Sequence, residues 1–333
     1  MSVALTRSRF INALRCYASY ALSLFGSVRI FHGPMFVSVE PANICQLRCP
    51  ECPVGKGERR KVKGERTTPF MNMELFRRVL AEVRDTAWVM QFYFQGEPLL
   101  NKDLPQMIRE AHEAGLYTIV STNAQAMTPE LADELVQAGL SRIIVSMDGL
   151  TEESYNAYRV GGSLEKTKAA LQWLRESKIH TASADRKKNQ KSNILIELQC
   201  LRLKTNEHEW KAFAREYKHL GADRLTFKTA QLYDYEHGHP LMPSQPRYRR
   251  YEQGKDGLWH RKRLGKTCLR AWSGVVITTD GEVLPCCYDK AHAHAYGNIK
   301  EYTLKELFRN EKAMAFRKAA LCQTPQICQT CWK

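Results

Sequence analysis

The hydrophobic periodicity of this chain switches repeatedly between two patterns, and that alternation limits what the chain can fold into. Short runs rich in branched and aromatic residues at 36–40, 88–94, 116–121, 142–147, 194–200 and 224–229 read as strands. Between them, residues 73–86, 104–114, 129–138, 152–176 and 207–220 carry apolar side chains at helical spacing. Each helical stretch supplies the crossover that a parallel strand pair requires, so the pattern predicts an α/β chain built as a partial (βα)6 barrel. In parallel barrels the chemistry sits in the loops after the strand C-termini, so each motif's place relative to its strand tests a functional reading. With 333 residues there is room for an N-terminal amphipathic helix over 1–34, the barrel over 35–232, and a small cysteine-rich α+β domain over 233–333.

The first of these segments looks apolar over 11–31, but Arg15 interrupts it, and the stretch between Arg15 and Arg29 is well short of the ~20 residues a bilayer span needs. Phe10, Leu14, Tyr17, Ala21, Leu24 and Val28 recur at helical spacing, which predicts a helix that packs this stripe on the body of the protein or lays it on a membrane surface. Packing is the expected arrangement, with peripheral membrane contact as the alternative. The formal charge of +15 could attract nucleic acid, an acidic membrane or an anionic substrate. Part of it is local, at Lys56, Arg59, Arg60, Lys61, Lys63 and Arg66 and at Arg186, Lys187, Lys188 and Lys191, where solvated loops explain it. No basic stripe interleaved with aromatics is present, so nucleic acid is not an expected partner.

Eleven cysteines in a chain without a convincing signal peptide, clustered at metal-ligand spacings, point to a reducing, cytosolic setting rather than to disulfides. After the first strand stands Cys45-Gln-Leu-Arg-Cys49-Pro-Glu-Cys52, three thiols at CxxxCxxC. A four-iron cubane held by three thiolates leaves one iron open to a bidentate ligand. Structural zinc normally wants four closed ligands, and no fourth stands near in sequence. Later strand ends carry Gln95-Gly96-Glu97-Pro98, Ser121-Thr122-Asn123 and Ser146-Met147-Asp148-Gly149. Ser146 and Asp148 stand two apart and face the same way on a strand.

These motifs, in this order, resemble the radical S-adenosylmethionine (SAM) superfamily, whose signature is CxxxCxxC after the first strand of a partial TIM-like barrel. The resemblance implies a 4Fe-4S cluster on Cys45, Cys49 and Cys52, and SAM contacts from Gln95, Gly96, Glu97 and Pro98, from Thr122 and Asn123, and from Ser146 and Asp148. Asp148 would meet the ribose hydroxyls and Ser146 the methionine carboxylate. Three features depart from the family: Gln95 replaces a glycine, Glu51 stands where many members carry an aromatic, and the fifth strand lacks the glycine-bearing pattern.

A second cysteine set comprises Cys268, Gly281-Glu-Val-Leu-Pro-Cys286, Cys322, Cys328 and Cys331. It is similar to the opening of the SPASM domain without its CX2CX5CX3C run, and closer to the shorter Twitch version. That resemblance implies an auxiliary 4Fe-4S cluster on Cys268, Cys286, Cys328 and Cys331, with Cys287 and Cys322 left over and a four-cysteine zinc ribbon as the alternative. Asp280-Gly281 between two alternating runs predicts a hairpin that presents Cys286. Cys16 and Cys200 read as ordinary buried residues.

The resemblance further implies reductive cleavage of SAM to a 5′-deoxyadenosyl radical that abstracts hydrogen from a substrate, with the first electron coming from a donor such as flavodoxin or ferredoxin. Asp234 and Asp289 are the candidate general bases, and Tyr233, Tyr235 and Lys228 share the rim after the sixth strand. A peptide or protein side chain is the expected substrate. An aminoglycoside-like sugar alcohol is the alternative, and the lack of a leader-recognition segment read ahead of the barrel lowers the case for a ribosomal peptide. From another class, a non-catalytic zinc or nucleic-acid-binding protein would use both cysteine sets structurally, but it leaves the ordered strand-end motifs unexplained.

Overall fold

The computed structural model describes residues 5–57, 68–185, 194–262, 268–322, 324–329 and 331. Of the basic clusters named above, Lys56 is within these, whereas Arg59, Arg60, Lys61, Lys63, Arg66, Arg186, Lys187, Lys188 and Lys191 lie outside them. All six expected strands form: β1 Phe36–Val39, β2 Val89–Phe92, β3 Tyr117–Thr122, β4 Arg142–Ser146, β5 Leu195–Arg202 and β6 Arg224–Thr229. Each pairs in parallel with the next, for example Ser38 beside Gln91 and Ile144 beside Glu197. Alternation sorts their side chains: Val37, Val39, Met90, Phe92, Ile143, Val145, Ile196 and Leu198 join the helices in one core. The intervening Ser38, Gln91, Arg142 and Glu197 meet on the other face, where Ser38 donates to Gln91 at 3.0 Å and Arg142 pairs with Glu197.

The outer layer contains α2 Met73–Val83, α3 Leu104–Glu113 and α4 Pro129–Gln137, following α1 Arg7–Leu24. Asn72 and Thr128 cap α2 and α4 by accepting from the Leu75 and Leu131 amides, and both helices turn an apolar stripe inward. Two expectations need correction. The single helix expected over 152–176 is two, α5 Glu152–Asn156 and α6 Leu164–Asp185, broken where Gly161 takes φ +86°. The stretch over 207–220 begins as a 3-10 turn at Lys204–Glu209 before α7 Trp210–Glu216.

The C-terminal segment adds a small hairpin, β7 Tyr251–Gln253 with β8 Trp259–Arg261, then the short helix α8 Arg270–Ser273. The hairpin expected at Asp280-Gly281 forms from β9 Gly274–Ile277 and β10 Glu282–Leu284, with Gly281 at φ +93°. It is not a separate sheet. β9 pairs in parallel with β1, Phe36 to Gly274 through Val39 to Ile277, and β11 Gly297–Asn298 pairs with β10. Among the described residues one nine-stranded sheet runs β11-β10-β9-β1-β2-β3-β4-β5-β6. Two helices, α9 Leu304–Leu307 and α10 Glu311–Leu321, then lead to α11 Gln326–Gln329 and the last cysteines.

The N-terminal helix packs the opposite way round from the stripe expectation. It buries Arg9, Asn12, Cys16, Ser19 and Ser23, while Phe10, Leu14, Tyr17 and Leu24 are each more than half exposed. Arg9 explains the inversion. Its guanidinium donates to the Arg84 and Ala114 carbonyls, both at 2.7 Å, and to Gly115 at 2.6 Å, so one cation collects the carbonyls that end α2 and α3. Asn12 exchanges hydrogen bonds with Gly33 and donates to the Thr86 carbonyl. Replacing Arg9 with alanine strands buried carbonyls, and Arg9→Ala should cost about 3 kcal/mol, read as a lowered midpoint of chemical unfolding. No helix among the described residues is long and apolar enough to cross a membrane.

Candidate metal and cofactor site

Cys45, Cys49 and Cys52 lie in the loop leaving the C-terminal end of β1, with Cys49 buried and the other two half-buried. Backbone contacts shape this loop: the Cys52 amide donates to the Cys49 carbonyl at 3.1 Å and the Arg48 amide to Val160 at 2.9 Å. A side chain at Gly55 would stand 2.7 Å from the Cys49 backbone, so the chain returns against the cysteines only as glycine. The Cys45 sulfur accepts from the Leu47 amide and from Asn123 Nδ2, both at 3.4 Å.

The ends of β2 and β3 are tied into the same unit. Gly96 sits so close to the cysteine loop that an added Cβ would lie 2.2 Å from the Ala42 carbonyl oxygen and 2.7 Å from that of Ile44, while the Glu97 amide donates to Ile44 at 2.8 Å. Glu97 is buried, and its carboxylate accepts from the Thr122 hydroxyl at 2.6 Å, the Asn123 amide at 2.8 Å and the Leu99 amide at 3.1 Å. Burial raises its pKa, against the pull of those donors. Ala124, next along, holds φ +62° while buried, a strained turn directly behind the site. Pro98 opens the short 3-10 turn after the motif. Gln95, the family's missing glycine, donates to the Lys290 carbonyl at 2.9 Å and so links this turn to the C-terminal segment.

At the end of β4, Ser146 is buried and Asp148 is fully buried. One Asp148 oxygen accepts from Arg159 Nε and the other from the Leu201 amide, both at 2.6 Å. The carboxylate is thus already engaged, and its partner is the cation that faces Cys49. Arg159 escaped the sequence reading because it lies in the break between α5 and α6, where a helix was expected. Burial works against its charge, yet Asp148 and Cys49 hold its pKa above the usual arginine value. Glu51 is also buried, accepting from the Tyr233 amide at 2.7 Å, with His239 at 3.4 Å and Lys56 at 3.9 Å. Where the family often places an aromatic, this chain has a carboxylate that draws the segment after β6 onto the cysteine loop.

The base candidates part company. Asp234 is exposed at the rim beside Tyr233, and Tyr235 stacks on Tyr251 with ring centres 4.2 Å apart. Lys228 is exposed on β6. Asp289 is fully buried, and its two oxygens accept from the Ala293 and His294 amides at 2.8 and 2.9 Å. That is a loop cap, which leaves Asp289 engaged where Asp234 faces solvent.

Among the C-terminal cysteines, Cys286 lies within electrostatic range of Cys287, Cys331 and Cys268, and Cys328 within range of Cys268 and Cys331, so Cys287 shares the neighbourhood of the four expected ligands. Cys322 is exposed and Cys16 and Cys200 are buried. Burial pushes Cys45 and Cys328 up to about 11 and raises Cys49 and Cys286 as well. Ligation must therefore displace protons, as thiolate metal sites do. Among the described residues no three His, Cys, Asp or Glu are gathered as ligands of a single ion. A cubane, whose thiolates bind separate irons, does not ask for that spacing. An all-sulfur donor set, amides aimed at sulfur and a cation beside Cys49 fit such a cluster.

Comparison with known proteins gives the same picture. The radical SAM superfamily model matches residues 39–186 and an iron-sulfur cluster-binding domain model, SPASM, matches 268–332. A PqqA peptide cyclase of Bradyrhizobium diazoefficiens is 26% identical over 276 residues, 76% of this chain but 66% of that relative. An AdoMet-dependent heme synthase of Methanosarcina barkeri is 23% identical over 339 residues, 91% of this chain and 93% of the relative. In fold, the chain is similar to Streptococcus suis SuiB bound to precursor peptide SuiA, with TM-score 0.62, 12% identity, and coverage of 92% and 71%. Both domain types imply 4Fe-4S clusters, and in the first of them SAM is the cofactor. The two matches fall on the two cysteine sets and on the strand ends between them, so the chain carries a radical SAM domain and a C-terminal SPASM-type iron-sulfur domain.

Proposed function

We propose that this chain cleaves SAM at a cluster held by Cys45, Cys49 and Cys52 and abstracts hydrogen from a side chain of a peptide or protein, with residues 35–232 as the catalytic barrel. In this reading, residues 233–333 carry an auxiliary cluster on Cys268, Cys286, Cys328 and Cys331. The observation that carries the proposal is the single hydrogen-bonded unit made by the Cys45 sulfur, Asn123, Glu97 and the Gly96 turn. When bound, the cluster and SAM supply the hydrogen-abstracting radical, using an electron from a flavodoxin or ferredoxin.

The chain's own residues have three tasks. Glu97 fixes the turn, whose backbone carbonyls at 95–97 would accept from the SAM ammonium. Asp148 holds Arg159 in place, and the guanidinium beside Cys49 offers a bidentate partner for the methionine carboxylate. Asn123, by donating to the Cys45 sulfur, stabilises the thiolate and so sets the cluster's potential. Exposed Asp234 is the base left at the rim after the sixth strand.

A peptide substrate is supported by relatives that are named peptide cyclases. The heme synthase relative, matched nearly end to end, supports a second reading in which the substrate is not a peptide. The test is anaerobic incubation of the reconstituted protein with SAM and dithionite. 5′-Deoxyadenosine should form, and addition of the true substrate should raise its yield and leave that substrate altered in mass. Protein that binds iron but releases no 5′-deoxyadenosine would sink the proposal.

A further inference from the structure

We infer that α1 is a docking face for the surface of a bilayer rich in anionic lipid. The helix spends its polar side on the protein, through Arg9, Asn12 and Ser19, and turns Phe10, Leu14, Tyr17 and Leu24 outward; Phe25, just past its end, is 89% exposed. A monomeric protein gains nothing by this arrangement, because burying the apolar stripe would have removed it from water. Beside the stripe lies an apolar groove of about 390 Å³, walled by Phe10, Leu14 and Tyr17 on one side and by Phe36, Trp88 and Tyr117 on the other.

Charge selects the occupant. Residues 1–39 contain no aspartate or glutamate, and Arg7, Arg15 and Arg29 are exposed in the same segment. At 100° per residue Arg7 falls next to the Phe10, Leu14 and Tyr17 stripe and Arg15 farther round on the same flank, the pattern of a helix lying in an interface with its cations at the headgroups. A face that is apolar at its centre, with Arg7 and Arg15 on its flank and the exposed Asp85 engaged electrostatically with buried Arg9 behind it, complements anionic lipid, and a second copy of the same face would set arginines against arginines. The groove opens at Phe36 and Val89, the starts of β1 and β2, whereas the cysteines follow the other end of β1. A docked molecule therefore keeps its reaction mouth turned away from the lipid.

The inference is independent of the proposed reaction and is tested without it. The reconstituted holoprotein is sedimented with vesicles of phosphatidylcholine alone and of phosphatidylcholine mixed with phosphatidylglycerol, at low and high salt. At least about tenfold more protein should follow the anionic vesicles, and the excess should shrink as salt rises. Phe10→Glu and Arg15→Glu, both on the exposed side of the helix, should each abolish the excess while iron content and unfolding midpoint stay at wild-type values. Equal recovery with both vesicle types, or binding that survives both substitutions, overturns the inference. So does a wild-type dimer in lipid-free solution that Phe10→Glu converts to monomer, because the face is then an interface between copies.

Discussion

A variant with Cys45, Cys49 and Cys52 all replaced by alanine should reconstitute with about four irons instead of about eight and release no 5′-deoxyadenosine from SAM, under conditions in which the parent does both. The expected residue of four irons is as informative as the lost activity. The second cysteine set draws on Cys268, Cys286, Cys328 and Cys331, none of which lies in the β1 loop. Its cluster should therefore survive, with its absorbance near that of an ordinary 4Fe-4S protein. A variant that drops to no iron at all would mean that the two sites assemble together, and one that keeps eight would remove the three cysteines from the cluster altogether.

The second large effect comes from a residue with no side chain to contribute. Gly96→Ala adds one methyl group at a point 2.2 Å from the Ala42 carbonyl oxygen and 2.7 Å from that of Ile44. These are backbone atoms of the segment that leads into Cys45, and they cannot swing aside as a side-chain end could. The methyl must push the turn and the cysteine loop apart, loosening the Glu97 amide bond to Ile44 on the way. A displacement on the order of 1 Å at a radical-transfer site can cost about a hundredfold in rate, so SAM cleavage in Gly96→Ala should fall by at least that factor. Iron content at the second site should not change. Alanine tolerated at wild-type turnover would show that the loop has slack that the packing does not suggest.

How far the sequence foretold these features depended on whether the deciding partner was local. Strand and helix positions followed from periods of 2 and 3.6, and the motifs stood at strand ends where parallel barrels place their chemistry. The Asp280-Gly281 turn was legible for the same reason, since the turn residues carry their own geometry. Arg159 was not. The residues before it keep a helical pattern, and only Gly161 and Gly162 hint at a break, so nothing local places a cation beside Cys49. Asp148 and Asp289 were legible as acidic residues near the site, but whether a carboxylate is open or spent depends on who donates to it. Those donors, Arg159 with Leu201, and Ala293 with His294, are fixed by loop conformation. The face of α1 failed for a related reason. A stripe of apolar residues argues for burial until a buried arginine meets carbonyls at positions 84, 114 and 115, a match that helical periodicity cannot announce.

The parallel pairing of β9 with β1 has a consequence for how the two iron sites can communicate. The strand that leads into the first cysteine loop and the strand that leads, through its hairpin, to Cys286 are neighbours in one ladder, joined across Phe36 to Val39 and Gly274 to Ile277. Gln95 adds a second strut, from the turn behind the first site to Lys290 behind the second. Along this route the connection is made by paired strands and one side-chain hydrogen bond. Any electron that passes between the clusters would do so over a gap set once, when the chain folds, so its rate would be tuned by potential and by the atoms in between rather than gated by motion.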